Sequence, residues 1–377
     1  MKKLYFLSIL FLALSSCNSY KKAQKNIYSG NFDQALDGMI TKYKKDHISE
    51  KDASRWAGIF NEAYLKAKNQ NLDAIQRAQL MIQSSEKHRI ILDNYSAMQA
   101  RIDKLKPYMP IKVKGQEVVV DYNTYYQEIV QSKLELSNAL YVEAEELMKT
   151  NDKMAYRLAY DKYSEIAVLT PSYTSIQSRI NESYQRGLSH ILVTVNNDSR
   201  SLLPRRLHQD ITNFNAYGVQ NFWNILHTQP ENLAYDYYVE LNFRDIRVMP
   251  ERIDKNTFTV TKELESKDTS RNAPKKTISC KVVETRLFKD ASIQSEILLF
   301  DQNKQLVHRQ SPIQSSFIFD YKWAEYYGDK NAIDSKYLKD MKCSAVLIPS
   351  HEQMLYDCAQ DLKGKLKCFI QKNVYNI

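Results

Sequence analysis

The chain has 377 residues, of which 43% are hydrophobic and 26% charged, and its formal net charge is +9. That length suits two or three domains, and that balance excludes disorder over most of the chain. Eight glycines and nine prolines exclude collagen-like and low-complexity readings. They also argue against a glycine-loop nucleotide enzyme, because a phosphate cradle needs backbone that only glycine supplies.

Lys2 and Lys3 precede an unbroken apolar run from Leu4 to Leu14. The run is shorter than the roughly 20 residues of a membrane-spanning helix and suits the core of a signal peptide. It ends in Leu14-Ser15-Ser16-Cys17, which resembles the bacterial lipobox. The resemblance implies that residues 1–16 are a lipoprotein signal peptide and that Cys17 is the lipidation site and new N-terminus. Residues 17–19 would then be the lipidated N-terminus and tether, holding the protein to a membrane by lipid. Asn18 stands where inner-membrane lipoproteins resemble one another in an Asp, which points to the outer membrane. The stretch Asn18-Ser19-Tyr20-Lys21-Lys22 lacks the acidic cluster of surface-exported Bacteroidota lipoproteins, so a periplasmic face is expected. Lys21, Lys22 and Lys25 would each add about 1 kcal/mol of attraction to anionic headgroups.

Residues 20–188 read as successive helices. Ile27, Phe32, Ala35, Leu36, Met39, Ile40 and Tyr43 recur at steps of three and four. Trp56, Ala57, Phe60, Ala63 and Tyr64 form a second face, and Ala74, Ala78, Met81 and Ile82 a face on a following helix. Gly30-Asn31-Phe32-Asp33-Gln34-Ala35-Leu36 resembles the middle of a tetratricopeptide repeat, in which Gly ends one helix, an aromatic opens the next and a small Ala lets the two pack closely. Tyr156, Ala159, Tyr163 and Pro171 match the same repeat, with Met154 at its glycine position. Pro107 and Pro110 interrupt the helices, and 107–121 reads as a small hairpin or irregular insertion before a long helix from Tyr122 to Lys149.

From about residue 189 the period changes from 3.6 to 2. His190–Val195 is strand-like by its β-branched content, and Pro204–Leu226 reads as a helix able to bury Leu207, Ile211, Phe214, Phe222 and Ile225. Tyr235–Val248 alternates, with Tyr237, Val239, Leu241 and Phe243 on one face. Phe258-Thr259-Val260, Ile278–Phe288 and Ile293–Phe300 read as separate strands, with a turn at Asp301–Lys304 leading into Leu306-Val307-His308 and a further strand at Phe317-Ile318-Phe319. Ser266–Lys276 reads as a polar loop. Ser350 and Gln353 suit the start of a last helix, whose face of Leu355, Cys358, Ala359, Leu362, Leu366, Phe369 and Ile370 should cover the sheet. The expected fold is α+β: an N-terminal TPR-like helical repeat domain over 20–188, then a mainly antiparallel sheet domain with packed helices over 189–377.

Motifs for chemistry are scarce. His47, His88, His190, His208, His227, His308 and His351 show no metal-ligand spacing, and there is no His-Glu-x-x-His, nucleophile elbow or Walker loop. No catalytic residue, cofactor or metal is therefore expected. Glu143, Glu145 and Glu146 read as the solvated face of a helix. Cys280, Cys343, Cys358 and Cys368 could form one or two disulfides in an oxidising compartment or remain buried thiols. Cys358 and Cys368 lie too far apart along one helix to pair with each other. The 26 tyrosines, with Tyr235, Tyr237, Tyr238 and the group Trp323, Tyr326, Tyr327, read first as core filling and alternatively as a stacking or recognition surface. The spread-out basic residues form no nucleic-acid module.

Met249-Pro250-Glu251-Arg252, Thr259-Val260-Thr261-Lys262-Glu263 and Tyr327-Gly328-Asp329-Lys330-Asn331-Ala332, with the lipobox and the helical repeats, resemble a family of Bacteroidota envelope lipoproteins to which no activity is attached. The resemblance gives Asp329 no catalytic role, and Gly328-Asp329 suits a turn. The expected function is that of a non-enzymatic outer-membrane lipoprotein: a protein-interaction scaffold in the periplasm for an envelope protein or peptide. The alternatives are a glycan-binding lipoprotein that partners an outer-membrane importer, and a cell-wall-active enzyme.

Overall fold

A computed structural model describes residues 20–43, 50–109, 112–113, 116–117, 123–213, 221–264, 276–334, 337 and 340–375. The expected leader, Cys17 and the tether lie outside the described residues, as do Phe214 and all of the expected polar loop except Lys276. The chain divides into two compact units, Met1–Gly187 and Leu188–Ile377.

The first unit is helical. It runs through α1 (20–28), α2 (Phe32–Tyr43), α3 (Glu50–Gln79), α4 (Ser85–Leu105), α5 (Tyr126–Lys149), α6 (Lys153–Leu169) and α7 (Ile176–Gly187). From α2 onward each helix packs on the next. Gly30 joins α1 to α2 in the left-handed region, at φ 77°. Its N–H donates to Ile27 O and the Asn31 N–H to Asn26 O, which together satisfy the last carbonyls of α1. Ala23, Ile27, Ala35, Leu36, Trp56, Phe60, Ala63, Ile91 and Ile102 fill one core, and Leu136, Leu140, Ala144, Tyr156, Ala159, Tyr163 and Ile166 a second. Ala35, Ala63, Ala144 and Ala159 are fully buried, because a methyl group lets neighbouring helix backbones approach. Two bidentate pairs tie distant helices: Arg101 to Asp33 across α4 and α2, and Arg89 to Glu165 across α4 and α6.

One expectation needs correction here. Ala74 and Ala78 lie on the same helix as Trp56, since α3 is continuous to Gln79, and Met81 and Ile82 lie beyond its end. The insertion after α4 contains a minimal antiparallel ladder, β1 (Lys112–Val113) against β2 (Gln116–Glu117).

The second unit is a six-stranded mixed sheet. Its strands are β3 (Ser189–Asn197), β4 (Asn224–His227), β5 (Tyr237–Val248), β6 (Arg252–Leu264), β7 (Lys276–Asp301) and β8 (Leu306–Gly328). β3 pairs in parallel with β4 and β5, and the remaining pairings are antiparallel. β7 is the spine: β6 pairs with its first half, β5 with its second, and β8 runs along its other edge. The regions 278–288 and 293–300 are therefore one strand, and so are 306–308 and 317–319. The polar interruption at Lys289-Asp290 does not break β7, because the buried Lys289 Nζ donates to Pro349 O at 2.6 Å and the Asp290 carbonyl accepts the Met249 N–H. Trp323, Tyr326 and Tyr327 lie on β8. The expected turn at 301–304 is present: Asp301 Oδ1 accepts the N–H groups of Asn303 and Gln305.

The helix expected over 204–226 is shorter. Within it α8 covers Arg205–Thr212, burying Leu207 and Ile211, while Asn224–His227 is strand β4 and both Phe222 and Ile225 are exposed. The last helix, α9 (His351–Asn373), lays Leu355, Cys358, Ala359, Leu362, Leu366, Phe369 and Ile370 into the core formed by Ile191, Val193, Val239, Leu241, Phe243, Ile293, Ile297 and Leu299. Ser350 caps it by accepting the Gln353 N–H, but the Gln353 side chain donates to Asp357, so only half of a capping box forms.

Candidate functional site

The feature best suited to binding lies within the helical unit, where the end of α3 and the starts of α4 and α5 surround a polar groove. The 80–84 connection forms its end. The Leu80 and Met81 N–H groups bond back to Arg77 O and Ala78 O, closing α3. Lys87 reaches over from α4 and donates to Gln79 O at 3.1 Å, a cation on helix C-terminal carbonyls. Ser84 caps α4 by accepting the Lys87 N–H. Ser85 N and Oγ both donate to Glu143 of α5, at 2.7 and 2.8 Å.

Those ties fix a connection whose side chains face water. Leu80 is 86% exposed, Met81 42% and Ile82 89%. Below them, Gln79, Gln83, Lys87, His88, Tyr95, Gln127, Glu128, Gln131 and Glu135 line the groove, with Ile91 and Ser132 at its base. A second cleft continues from Gln83, Ser84, His88 and Glu135 to Asn138, Ala139 and the exposed Val142. The wall is thus rich in amide side chains, each with a donor and an acceptor, beside large apolar side chains.

His88 lies at the junction of the two clefts and is only 6% exposed. Its Nε2 lies 2.5 Å from Gln83 Nε2. Its Nδ1 lies 3.3 Å from Glu135 Oε2, close enough for Coulombic contact, yet makes no hydrogen bond. An unmade bond at a buried polar atom costs about 1–3 kcal/mol. Around it the charges are uneven. Glu128 and Glu135 face the groove, whereas Lys87 is directed to the backbone carbonyls of the α3 end. Burial, reinforced by the carboxylates of Glu128 and Glu135, pushes the Tyr95 phenol above its ordinary value.

The carboxylates read as one solvated face have separate environments. Glu143 also accepts from Lys162 Nζ at 2.6 Å. Burial opposes its ionisation, but Lys162 and the two Ser85 donors prevail and hold its carboxyl below the usual value. Glu145 accepts from the Tyr163 hydroxyl at 2.6 Å and from Arg179. Glu146 alone of the three is purely a surface group, paired with Lys149.

The other sequence candidates are dispersed. His190 and His227 meet at 3.0 Å across the β3–β4 pair, and His227 contacts Glu231 at 3.1 Å. Among the described residues no group of three or more His, Cys, Asp or Glu side chains could hold a metal ion. Cys280 and Cys358 are buried free thiols, Cys368 is exposed and Cys343 is half-buried beside Tyr321. Burial pushes the Cys358 thiol up to about 11. Phe319, Tyr321 and Trp323 form a row along one face of β8, and the Tyr321 hydroxyl donates to Ser344 O. Asp329 accepts the Asn331 N–H in a short turn entered from Gly328, where a side chain would collide with Ser279 O.

Sequence reasoning missed both parts of the groove. Met81 and Ile82 fit a helical period and read as core, and His88 showed no ligand spacing. The one local signal was Ser84-Ser85 after Leu80-Met81-Ile82, a cap one residue beyond a large apolar triplet.

No protein-family model and no curated protein matches this sequence. Among solved structures, one described as a neuraminyllactose-binding hemagglutinin homolog from Helicobacter pylori is similar at 9% identity. The match covers 49% of this chain and 86% of that one, with a TM-score of 0.24. Similarity of that degree carries no argument about this chain. No helix among the described residues is long and apolar enough to cross a membrane.

Proposed function

We propose that this protein is a non-enzymatic lipoprotein of the bacterial outer membrane, facing the periplasm, of the kind found in Bacteroidota envelopes. Its helical unit is a TPR-like scaffold, and the groove between α3, α4 and α5 holds an extended segment of an envelope protein. The repeat reading is supported by Ala35 and Ala159, which are fully buried, by Tyr156 and Tyr163 in the core, by Phe32 packed against it, and by Gly30, which turns α1 into α2 at positive φ. The lipobox ending in Cys17 supports the anchor.

The observation that carries the binding role is the pairing of exposed Leu80, Met81, Ile82 and Val142 with a groove lined by amide side chains. Apolar surface rimmed by polar groups marks interaction sites, and amides satisfy the backbone of an extended segment. The test uses the mature chain as bait in detergent-solubilised membranes. Leu80→Ser with Ile82→Ser removes exposed side chains, so the unfolding midpoint should hold while capture of the partner falls. Undiminished capture by the folded double variant would place binding elsewhere.

A further inference from the structure

On a chain whose formal net charge is +9, the groove is locally acidic. Its facing carboxylates are Glu128 and Glu135, and its one lysine, Lys87, is turned to the carbonyls of Gln79 and Met81. Gln131 donates to Glu135 Oε1 at 2.9 Å, which leaves the second oxygen toward His88. The Tyr95 ring lines the same groove as both carboxylates, and burial followed by Glu128 and Glu135 pushes its phenol up. Two carboxylates and an aromatic face are the elements that receive an ammonium or guanidinium group. At the junction, the buried His88 Nδ1 makes no hydrogen bond.

We infer that the segment held in this groove carries a lysine or arginine, with its cation between Glu128, Glu135 and the Tyr95 ring. This rests on the groove being the binding face and adds the chemistry of its partner. Electrostatic complementarity then supplies specificity, because a neutral or acidic segment leaves the two carboxylates unpaired or repelled.

The test is calorimetric titration of the detergent-solubilised mature chain with three blocked hexapeptides, alternating Ala with Lys, with Gln or with Glu. The Lys peptide should bind about tenfold or more tighter than the Gln peptide, and the Glu peptide more weakly than either. Glu128→Gln with Glu135→Gln should abolish the Lys advantage, whereas Glu146→Gln, on the surface outside the groove, should retain it. Unfolding midpoints establish that each variant is folded. A Lys advantage that survives the double variant overturns the inference, because the cation is then bound elsewhere. Equal binding of the Lys and Gln peptides, with both lost in Leu80→Ser/Ile82→Ser, overturns it and leaves the groove as the binding face. Absence of peptide binding, together with partner capture indifferent to Leu80 and Ile82, overturns both.

Discussion

The Glu143 carboxylate of α5 accepts both the backbone N–H and the hydroxyl of Ser85, the first residue of α4, 58 positions earlier in the chain. One side chain thereby closes an exposed helix N-terminus, and through Lys162 it joins α4, α5 and α6. The same contact holds the 80–84 connection against α5 and so positions the apolar end of the groove.

Replacing Glu143 by Gln removes the charge from three hydrogen bonds while keeping the shape. Charge-assisted bonds are roughly twice as strong as neutral ones, so we expect a loss of about 1–2 kcal/mol in chemical denaturation. The pH dependence has a definite sign. The folded-state pKa lies below the ordinary 4.5, so the stabilisation is fully present above that value and is lost as pH falls through the folded-state value. The stability gap between wild type and Glu143→Gln should be widest near neutrality and close in acid.

Glu296 supplies a second prediction, with an inversion. Its side chain is 2% exposed on β7, at the register shift of the β8 ladder and close to that of the β5 ladder. Arg309 binds one of its oxygens and Arg244, the extra residue of the β5 bulge, the other. Burial alone would raise its pKa, but the two guanidiniums outweigh burial and lower it. Arg244→Ala with Arg309→Ala leaves an uncompensated buried carboxylate, a change that typically costs about 3–5 kcal/mol. Burial then acts alone, the folded-state pKa rises above the unfolded one, and stability should increase as pH falls from neutrality. Wild type should show no such gain. Denaturation midpoints across the pH range read both signs.

The proposed anchor has a direct chemical assay. Cys17→Ala should abolish incorporation of labelled palmitate and release the protein from the membrane fraction. Unchanged labelling in that variant would contradict lipidation at Cys17.

Much of the architecture is legible in the residues. The three-and-four spacing around Ala35, Phe60 and Ala159 marks buried helix faces, the alternation from Tyr237 to Phe243 marks a half-buried strand, and the stripe from Leu355 to Ile370 marks the helix that covers the sheet. What escapes the sequence depends on partners distant in the chain. β4 is four residues long and is defined by its parallel pairing with β3 rather than by its own pattern. β7 passes through Lys289 because Pro349, far along the chain, supplies the acceptor that a buried lysine needs. Periodicity carries on through Met81 and Ile82 because apolar spacing does not record where α3 stops. His88 acquires its setting only when Glu135 is brought alongside by α5.

The central claim, that the α3–α4–α5 groove is the face that holds a partner, is tested most directly by photocrosslinking in intact cells. A photoreactive phenylalanine analogue is placed at Gln131, exposed inside the groove, or at Tyr327, exposed on β8. The account predicts one discrete crosslinked protein from position 131, lost when Leu80 and Ile82 are changed to Ser, and none from position 327. A discrete adduct from position 327 with none from 131 would contradict it and assign binding to the sheet unit.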